Sequence, residues 1–187
     1  MEYPKLFMLL LGCKPTGRNT EQHDTLFVIG NSLKDTIPQI NDFWPDGGKI
    51  HIDAWREITS VDGFTVTVIP KTGIIHNNAQ KLFFLNLGGY KENEFEEFHY
   101  KLLSISADKA GAIMQAKQTA FYKHTGFKGA DSHIDDKYGV DVDDVYLIED
   151  ILPAGIKEKF HILVERTDDV HKKEDLMNLG YFKLNNL

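Results

Sequence analysis

The pattern of apolar and polar positions in the first part of the chain recurs 76 positions later. The apolar run Leu6–Gly12 corresponds to Leu82–Gly88 without a gap. The polar residues that keep this register are Glu21 with Glu97 and His23 with His99. A slightly longer shift pairs 51–53 with 133–135, both with the sequence His-Ile-Asp. Two copies of one unit are therefore expected to fill most of the chain.

Each copy predicts the element order β-β-α-β-β. An apolar run that ends at glycine is typical of a buried strand, and the β-rich stretch that follows a polar loop is expected to pair with it as an antiparallel hairpin. The predicted strands are 6–11, 22–29, 49–58 and 64–69 in the first copy and 82–87, 98–105, 132–140 and 145–151 in the second. Turns are predicted before the last strand of each copy, at 61–63 and 142–144.

A helix is predicted as the third element of each copy. In the second copy Asp108 suits an N-cap, and a helix face then recurs at three- and four-residue steps as far as His124, after which Gly126 is a stop. In the first copy residues 32–35 resemble a capping box, but Pro38 removes a backbone donor. The first helix is therefore expected to begin near Thr36, after a turn.

These elements predict an α+β protein made of internally duplicated β-β-α-β-β units packed with pseudo-two-fold symmetry. The expected units are 1–75 and 76–155, and 156–187 forms an extension without a copy. A unit of this size lies near the lower limit for independent folding, so one compact body with a shared core is expected.

Composition narrows the class of protein. The chain has 187 residues, 42% of them hydrophobic, a net charge of −7 and a single cysteine, Cys13. An acidic protein lacks the clustered Lys and Arg that bind phosphate backbones, so nucleic acid is not an expected partner. The apolar run Leu6–Gly12 is too short to span a membrane and recurs in mid-chain, so it predicts a strand rather than an export signal. With no disulfide partner for Cys13, the expected location is cytoplasmic.

The recurring polar residues are the first candidates for chemistry. Residues two apart on a strand share a face, so a Glu-x-His pair on one strand and a His-x-Asp pair on its neighbour are expected to converge. Two imidazoles and two carboxylates suit a divalent metal such as zinc, manganese or iron. The candidate ligands are Glu21, His23, His51 and Asp53, with Glu97, His99, His133 and Asp135 as the second set. The alternative is that these residues form ion pairs that join strands.

A second candidate is the loop that follows the first strand. Its glycine spacing is that of a P-loop, but Arg18 and Asn19 replace the phosphate-binding lysine and the metal-binding hydroxyl residue, and the next element reads as a strand. A looser anion site is the remaining interpretation. The residues expected to contact an anionic ligand are Lys14, Arg18, His23 and Arg56.

Several longer motifs identify a family resemblance. They are Leu11–Asp24 (with Gly-Cys-Lys-Pro, Gly-Arg and Glu-Gln-His-Asp), Gly30–Asp35, His51–Arg56, Leu87–Tyr90 and His133–Gly139. This pattern, which extends over nearly the whole chain, resembles the bacterial family called domain of unknown function 1543. That family carries one or two copies of its domain, which agrees with the duplication. The resemblance implies no activity, substrate or catalytic residue.

Three functions follow from these observations. The first is binding of a small anionic metabolite in the cleft between the repeats. The second is a metal-dependent hydrolase in which the Glu, His and Asp set holds the metal and a metal-bound water is the nucleophile. The third is a structural or homo-oligomeric module without catalysis.

Overall fold

The structure is a computed structural model that describes residues 3–72, 79–90, 93–119, 140–167 and 175–187. The chain divides into two compact units. The first unit contains residues 1–77 and 151–187, and the second contains residues 78–150. Strands and helices are mixed in both units, so the predicted α+β class is confirmed.

A four-stranded antiparallel sheet organises the first unit. Its strands are β1 (Lys5–Cys13), β2 (Gln22–Gly30), β3 (His51–Glu57) and β10 (Asn178–Lys183), and their order is β10-β3-β1-β2. Strand β1 lies between β3 and β2, and one of its faces packs in the core, whereas Met8 and Leu10 on the other face are only partly buried. The hydrophobic cluster on one face is Phe7, Leu9, Leu11, Leu26, Val28, Ile40 and Ile52.

The helix of the first unit begins as the sequence predicts. A 3₁₀ turn, Lys34–Thr36, leads into α1 (Ile37–Phe43), which places Pro38 in the first helical turn, where a missing amide donor is tolerated. Ser32 and Asp35 form the predicted reciprocal contact, because the Ser32 amide donates to Asp35 Oδ2 at 2.9 Å and the Asp35 amide donates to Ser32 Oγ at 3.4 Å.

A second sheet of the first unit joins segments that are distant in sequence. The strands β4 (Ser60–Val61), β5 (Phe64–Pro70) and β9 (Phe160–Arg166) lie in the order β4-β5-β9 and are antiparallel. The predicted turn at 61–63 is confirmed, with positive φ values of 51° at Asp62 and 77° at Gly63. Strands β9 and β10, from the segment predicted as an extension, thus pair with strands of the first unit.

The second unit contains one described sheet in the order β7-β6-β8. Strand β6 (Lys81–Tyr90) lies between β7 (Glu97–Ser106) and β8 (Val140–Leu147). Helix α2 (Lys109–Ala116) begins at the predicted N-cap, where the Asp108 side chain accepts from the Gly111 amide at 2.8 Å.

Three predictions for the second unit are wrong. Residues 142–144 are not a turn but lie inside β8, because pairing of this stretch with β6 overrides the turn preference of aspartate. The expected strand 145–151 ends at Leu147 and continues as α3 (Ile148–Ile151), which α4 (Ala154–Lys157) follows. Helix α2 ends at Ala116 rather than near His124, and residues 120–139 lie outside the described part.

Among the described residues, no helix is long and apolar enough to cross a membrane.

Candidate metal centre

Two histidines face each other across a glycine on the first sheet. In the strand register, Gly12 of β1 lies opposite His23 of β2 on one side and opposite His51 of β3 on the other. Residues directly opposite each other in neighbouring strands project from the same face of the sheet. Because the middle residue has no side chain, the two imidazoles have room to approach each other above β1.

Two carboxylates complete the cluster, and each reaches it for a different reason. Glu21 lies two residues before His23 and shares its face, as strand alternation predicts. Asp53 lies at an irregularity, because Leu11 pairs with Ile52 while the preceding Leu10 pairs with Ala54. Such a bulge inserts one extra residue and re-aims its side chain. Asp53 is that extra residue in β3.

The four side chains form a ring in which imidazoles and carboxylates alternate. His51 Nε2 lies 3.1 Å from Glu21 Oε1 and 3.1 Å from Asp53 Oδ1. His23 Nε2 lies 3.1 Å from Asp53 Oδ2 and 3.8 Å from Glu21 Oε2. Each carboxylate thus directs one oxygen to each histidine. The structure thus brings the first predicted set of residues together.

Burial differs strongly around this ring. The side chain of His51 is 4% exposed, that of Asp53 26%, that of His23 44% and that of Glu21 45%. The phenol ring of Tyr181, from β10, covers His51 with a centroid distance of 4.1 Å and a tilt of 33°. Within the described part of the chain, neither ring nitrogen of His51 has a hydrogen-bond partner, and Asp53 Oδ2 also lacks one. The inner side of the ring is therefore dry and the outer side open.

Gly12 is required by the space that the cluster occupies. A Cβ atom at this position would lie 2.5 Å from His51 Nε2 and 2.5 Å from Asp53 Oδ2. These contacts are too short for any side chain. The glycine that ends the first apolar run thus makes room for the two functional side chains on β3.

A pocket of about 350 Å³ opens beside His23 in the first unit. Its lining residues are Pro15, Thr16, Arg18, Gln22, His23, Asp24, Trp44 and Asp46. Two of the four residues predicted to contact an anion, Arg18 and His23, belong to this set. Lys14 is exposed and follows β1. Arg56 lies on β3 opposite Met8 of β1, four positions along β1 from Gly12.

Cys13 follows Gly12 and is fully buried. Burial raises the pKa of its thiol, and the carboxylates of Asp46 and Glu21 raise this pKa further. A thiol with a raised pKa is a poor nucleophile, because only the thiolate attacks. Cys13 is therefore an inert core residue in this structure.

The second unit assembles a related but smaller cluster. His99 Nε2 lies 3.4 Å from Asp143 Oδ2 and 3.9 Å from Glu97 Oε2. Glu97 and His99 are the pair expected from the sequence, whereas Asp143 was predicted to lie in a turn. His133 and Asp135, the other residues of the predicted second set, lie outside the described residues.

Strand pairing explains why Asp143 joins this cluster. In β8 the register shifts between Leu87 and Asn86, so Asp143 is the extra residue of a bulge at the same place as the bulge in β3. The strand pairing thus matches Asp53 with Asp143, whereas the sequence register matched it with Asp135. A signal was present, because Ile-Asp at 52–53 resembles Val-Asp at 142–143. The recurrence of Gly12 and Gly88 in the sequence was a second signal, because both positions leave room for the side chains of the neighbouring strand.

Comparisons with known proteins give a family match over part of the chain and a similar fold, but no activity. Residues 18–68 match the model of a Domain of Unknown Function, DUF1543. The crystal structure of a protein from Idiomarina loihiensis is similar over 97% of this chain and 97% of that chain, with a TM-score of 0.65 and 21% sequence identity. The sequence matches no curated protein. The structural likeness supports the fold, and the match to the DUF1543 model over residues 18–68 contains all four side chains of the first cluster.

Proposed function

We propose that the first unit binds a divalent transition-metal ion through Glu21, His23, His51 and Asp53. The observation that supports this proposal is the buried imidazole of His51, whose Nε2 lies 3.1 Å from two carboxylate oxygens but has no hydrogen-bond partner in the described chain. An unsatisfied buried polar group costs about 1–3 kcal/mol. A metal ion held between the nitrogen and the two oxygens removes this cost.

The ring dimensions suit such an ion. A tetrahedral zinc site with bonds of 2.0–2.1 Å has ligand atoms about 3.3 Å apart. His51 Nε2 lies 3.1 Å from Glu21 Oε1 and 3.1 Å from Asp53 Oδ1, which is close to this spacing. His23 Nε2 faces the other oxygen of each carboxylate, at 3.1 Å from Asp53 Oδ2 and 3.8 Å from Glu21 Oε2. Two neutral imidazoles and two carboxylates also balance the charge of a divalent cation. Two nitrogen and two oxygen ligands favour zinc, iron or manganese over calcium or magnesium.

An ion-pair network without a metal is the alternative explanation of the ring. In such a network His51 Nε2 would donate a hydrogen bond to one of the two carboxylate oxygens, and the nitrogen would have a partner. The absence of such a hydrogen bond among the described residues argues against this arrangement.

The open side of the ring supports a catalytic role. His23 belongs both to the ring and to the wall of the adjacent pocket, so a ligand in that pocket lies next to the metal position. An ion held by these four ligands would have to expand to five-coordination to take a water on the open side, where a metal activates it for hydrolysis. The proposed reaction is therefore hydrolysis of a small substrate that enters from the pocket.

The second candidate function is binding of a small anion in the same pocket without chemistry. Arg18 is the cationic residue among those that line it, and the ring supplies the imidazole of His23. The carboxylates of Asp24 and Asp46 also line the pocket, which favours a ligand that carries a donor group besides its negative charge. A bound divalent ion would reverse the local charge and strengthen anion binding.

A titration with Co²⁺ of the tag-free protein tests the metal proposal, because cobalt reports its coordination by visible absorption. The wild type is expected to give the intense absorption of a four-coordinate ion. Glu21→Gln is expected to weaken binding by about tenfold or more, since loss of an outer partner alone costs that much. Asp42→Asn removes one negative charge from an exposed position on α1 and is expected to bind like the wild type. Equal titrations of the two variants would contradict the proposal.

A thermal-shift screen with inorganic phosphate and simple dicarboxylates tests the anion pocket. Arg18→Gln is expected to abolish any stabilisation, while Lys14→Gln, an equal charge change in the same loop, is expected to retain it. The reverse result would place the ligand elsewhere, and a response that depends on Glu21 as well would show that the metal holds the anion.

The proposal includes the origin and location of the protein. Both units contain a central strand that ends at a glycine and a bulge at the matching place in a neighbouring strand. These likenesses support descent of the two units from one duplicated domain. The buried free thiol of Cys13 supports a cytoplasmic location, where thiols stay reduced.

A further inference from the structure

We propose that the second unit carries a second, solvent-open cation site made by Glu97, His99 and Asp143, which takes a hard divalent ion such as Mn²⁺. One ligand atom from each of these three side chains lies within 4.8 Å of the other two. The site uses residues other than those of the first unit, and its occupation does not depend on the proposal made for the first cluster.

The backbone of the second unit holds these side chains as the first unit holds its ring. Gly88 of β6 lies opposite His99 of β7, as Gly12 lies opposite His23. A Cβ atom at Gly88 would collide with the carboxylate of Asp143, with its Cγ only 2.9 Å away. Both units thus have a glycine on the central strand, a bulge on a neighbouring strand, and the carboxylate of the bulged residue next to the glycine. Such a recurrence is not expected of a casual group of surface charges.

The ligand set of this second site differs from that of the first. The residue opposite Gly88 on β8 is Asp141, where the first unit has the buried His51. The described ligands are therefore one imidazole and two carboxylates. Their side chains are 29–42% exposed, so no dry inner side exists comparable to that at His51.

These differences determine the class of ion. Oxygen-rich sites that keep several waters suit magnesium and manganese, whereas nitrogen- and sulfur-rich sites suit zinc and copper. With two carboxylates, one imidazole and open access to water, the site favours Mn²⁺. Its affinity is expected to be lower than that of the first ring, because three exposed ligands lose more freedom on binding than partly buried ones.

Tyr90 orients one of these ligands. It pairs with Glu97 across β6 and β7, and its hydroxyl donates a hydrogen bond to the Glu97 carboxylate. This bond raises the pKa of Tyr90, with smaller contributions from desolvation and from the charges of Glu97 and Asp143. The carboxylate of Glu97 is thus held beside His99 before any ion binds.

Electron paramagnetic resonance of added Mn²⁺ tests the inference, because the signal of the free aqua ion disappears on binding. The tag-free Glu21→Gln variant serves as the background, so that the first ring does not obscure the measurement. In this background the protein is expected to bind one Mn²⁺ ion, and adding Glu97→Gln is expected to weaken binding by about tenfold or more. Adding Glu96→Gln instead, an equal charge change at the neighbouring position, is expected to leave binding unchanged.

Two outcomes would overturn the inference. One is equal Mn²⁺ binding by the Glu97→Gln and Glu96→Gln proteins, and the other is the absence of Mn²⁺ binding by the background protein. A Tyr90→Phe variant separates a ligand site from general surface charge, since it removes no charge but is expected to weaken binding through loss of the orienting hydrogen bond. Loss of the first site affects none of these comparisons, so each proposal fails or holds separately.

Discussion

Gly12 shows how one missing side chain determines the chemistry that the first sheet can hold. His23 and His51 lie opposite it on the two neighbouring strands, and the imidazole of His51 lies where a Cβ atom would be. Glycine in a strand interior is usually destabilising, so its presence here indicates a close approach of other atoms. The approaching atoms are the candidate ligands.

Gly12→Ala is therefore expected to weaken binding of a transition metal without removing any ligand. The new methyl group would force His51 and Asp53 apart, and the loss should equal or exceed that of a missing outer partner, about 10- to 100-fold. Calorimetric titration with Zn²⁺ measures this effect. Gly155→Ala is the matched control, since a Cβ at Gly155 meets nothing within 4 Å. Unchanged Zn²⁺ affinity in Gly12→Ala would contradict the role assigned to the glycine.

Cys13 provides a prediction about pH. Burial, followed by the charges of Asp46 and Glu21, raises the pKa of its thiol above the ordinary value of 9.0. Its contribution to stability is fully present below that value and is lost as the pH rises through the higher pKa of the folded state, because the unfolded chain releases its proton first. The free energy of unfolding of the wild type is therefore expected to fall as the pH rises above 9.0, and that of Cys13→Ala is expected to fall less.

A thiol-reactive disulfide reagent checks the same prediction kinetically. Folded protein at pH 8 is expected to react slowly and denatured protein rapidly. Rapid reaction of the folded protein would show that Cys13 is accessible and ionised.

At the scale of residues, the sequence predicts pairs that lie close together on one strand. The side chains of Glu21 and His23 share a face because alternation has a period of two, and this rule needs no tertiary information. Asp143 was missed because a bulge changes the register, and a bulge depends on how two strands pair. The sequence therefore predicts ligand pairs on one strand better than it predicts which residues of a neighbouring strand join them.

Strand β1 is the element on which the first sheet is built. It pairs with β2 and β3, and Leu9 at its centre is 0% exposed. Its continuous apolar run predicts a strand buried on both faces, but only the face that contains Leu9 is fully buried, and Met8 and Leu10 on the other face are partly exposed. The same argument applies to Leu85 on β6, which is also 0% exposed.

Leu9→Ala is expected to lower the free energy of unfolding by about 2–5 kcal/mol, because it leaves a cavity in a packed core. Leu179→Ala makes the same chemical change on β10, where the leucine is 75% exposed, and is expected to cost less than about 0.5 kcal/mol. Urea denaturation of both variants measures the difference. Similar losses in the two variants would contradict the buried position of Leu9.

The elements that were mispredicted share a physical cause. Residues 140–147 contain three aspartates at 141, 143 and 144, which favour turns in isolation, yet they form β8 because the edge of β6 offers hydrogen bonds along its length. Local preference is a weak guide where pairing with a neighbouring strand determines the outcome.

At the scale of the whole molecule, the first unit is discontinuous in sequence. Strands β9 and β10 return to it from the last part of the chain, and β10 brings Tyr181 over His51. These pairings were not predicted, because pairing over 90 positions or more leaves no local pattern. The candidate ring therefore depends on a covering residue that sequence repeats do not contain.

The central claim is that the first ring binds a transition metal, and elemental analysis of the tag-free protein tests it most directly. After gel filtration the wild type, loaded with Zn²⁺, is expected to retain one more tightly bound ion than a variant with both Glu21→Gln and Asp53→Asn. Both substitutions keep the shape of the side chain, so folding can be checked separately by circular dichroism. Equal metal content in the two folded proteins would contradict the account, and the ring would then be a set of ion pairs that joins β2 to β3.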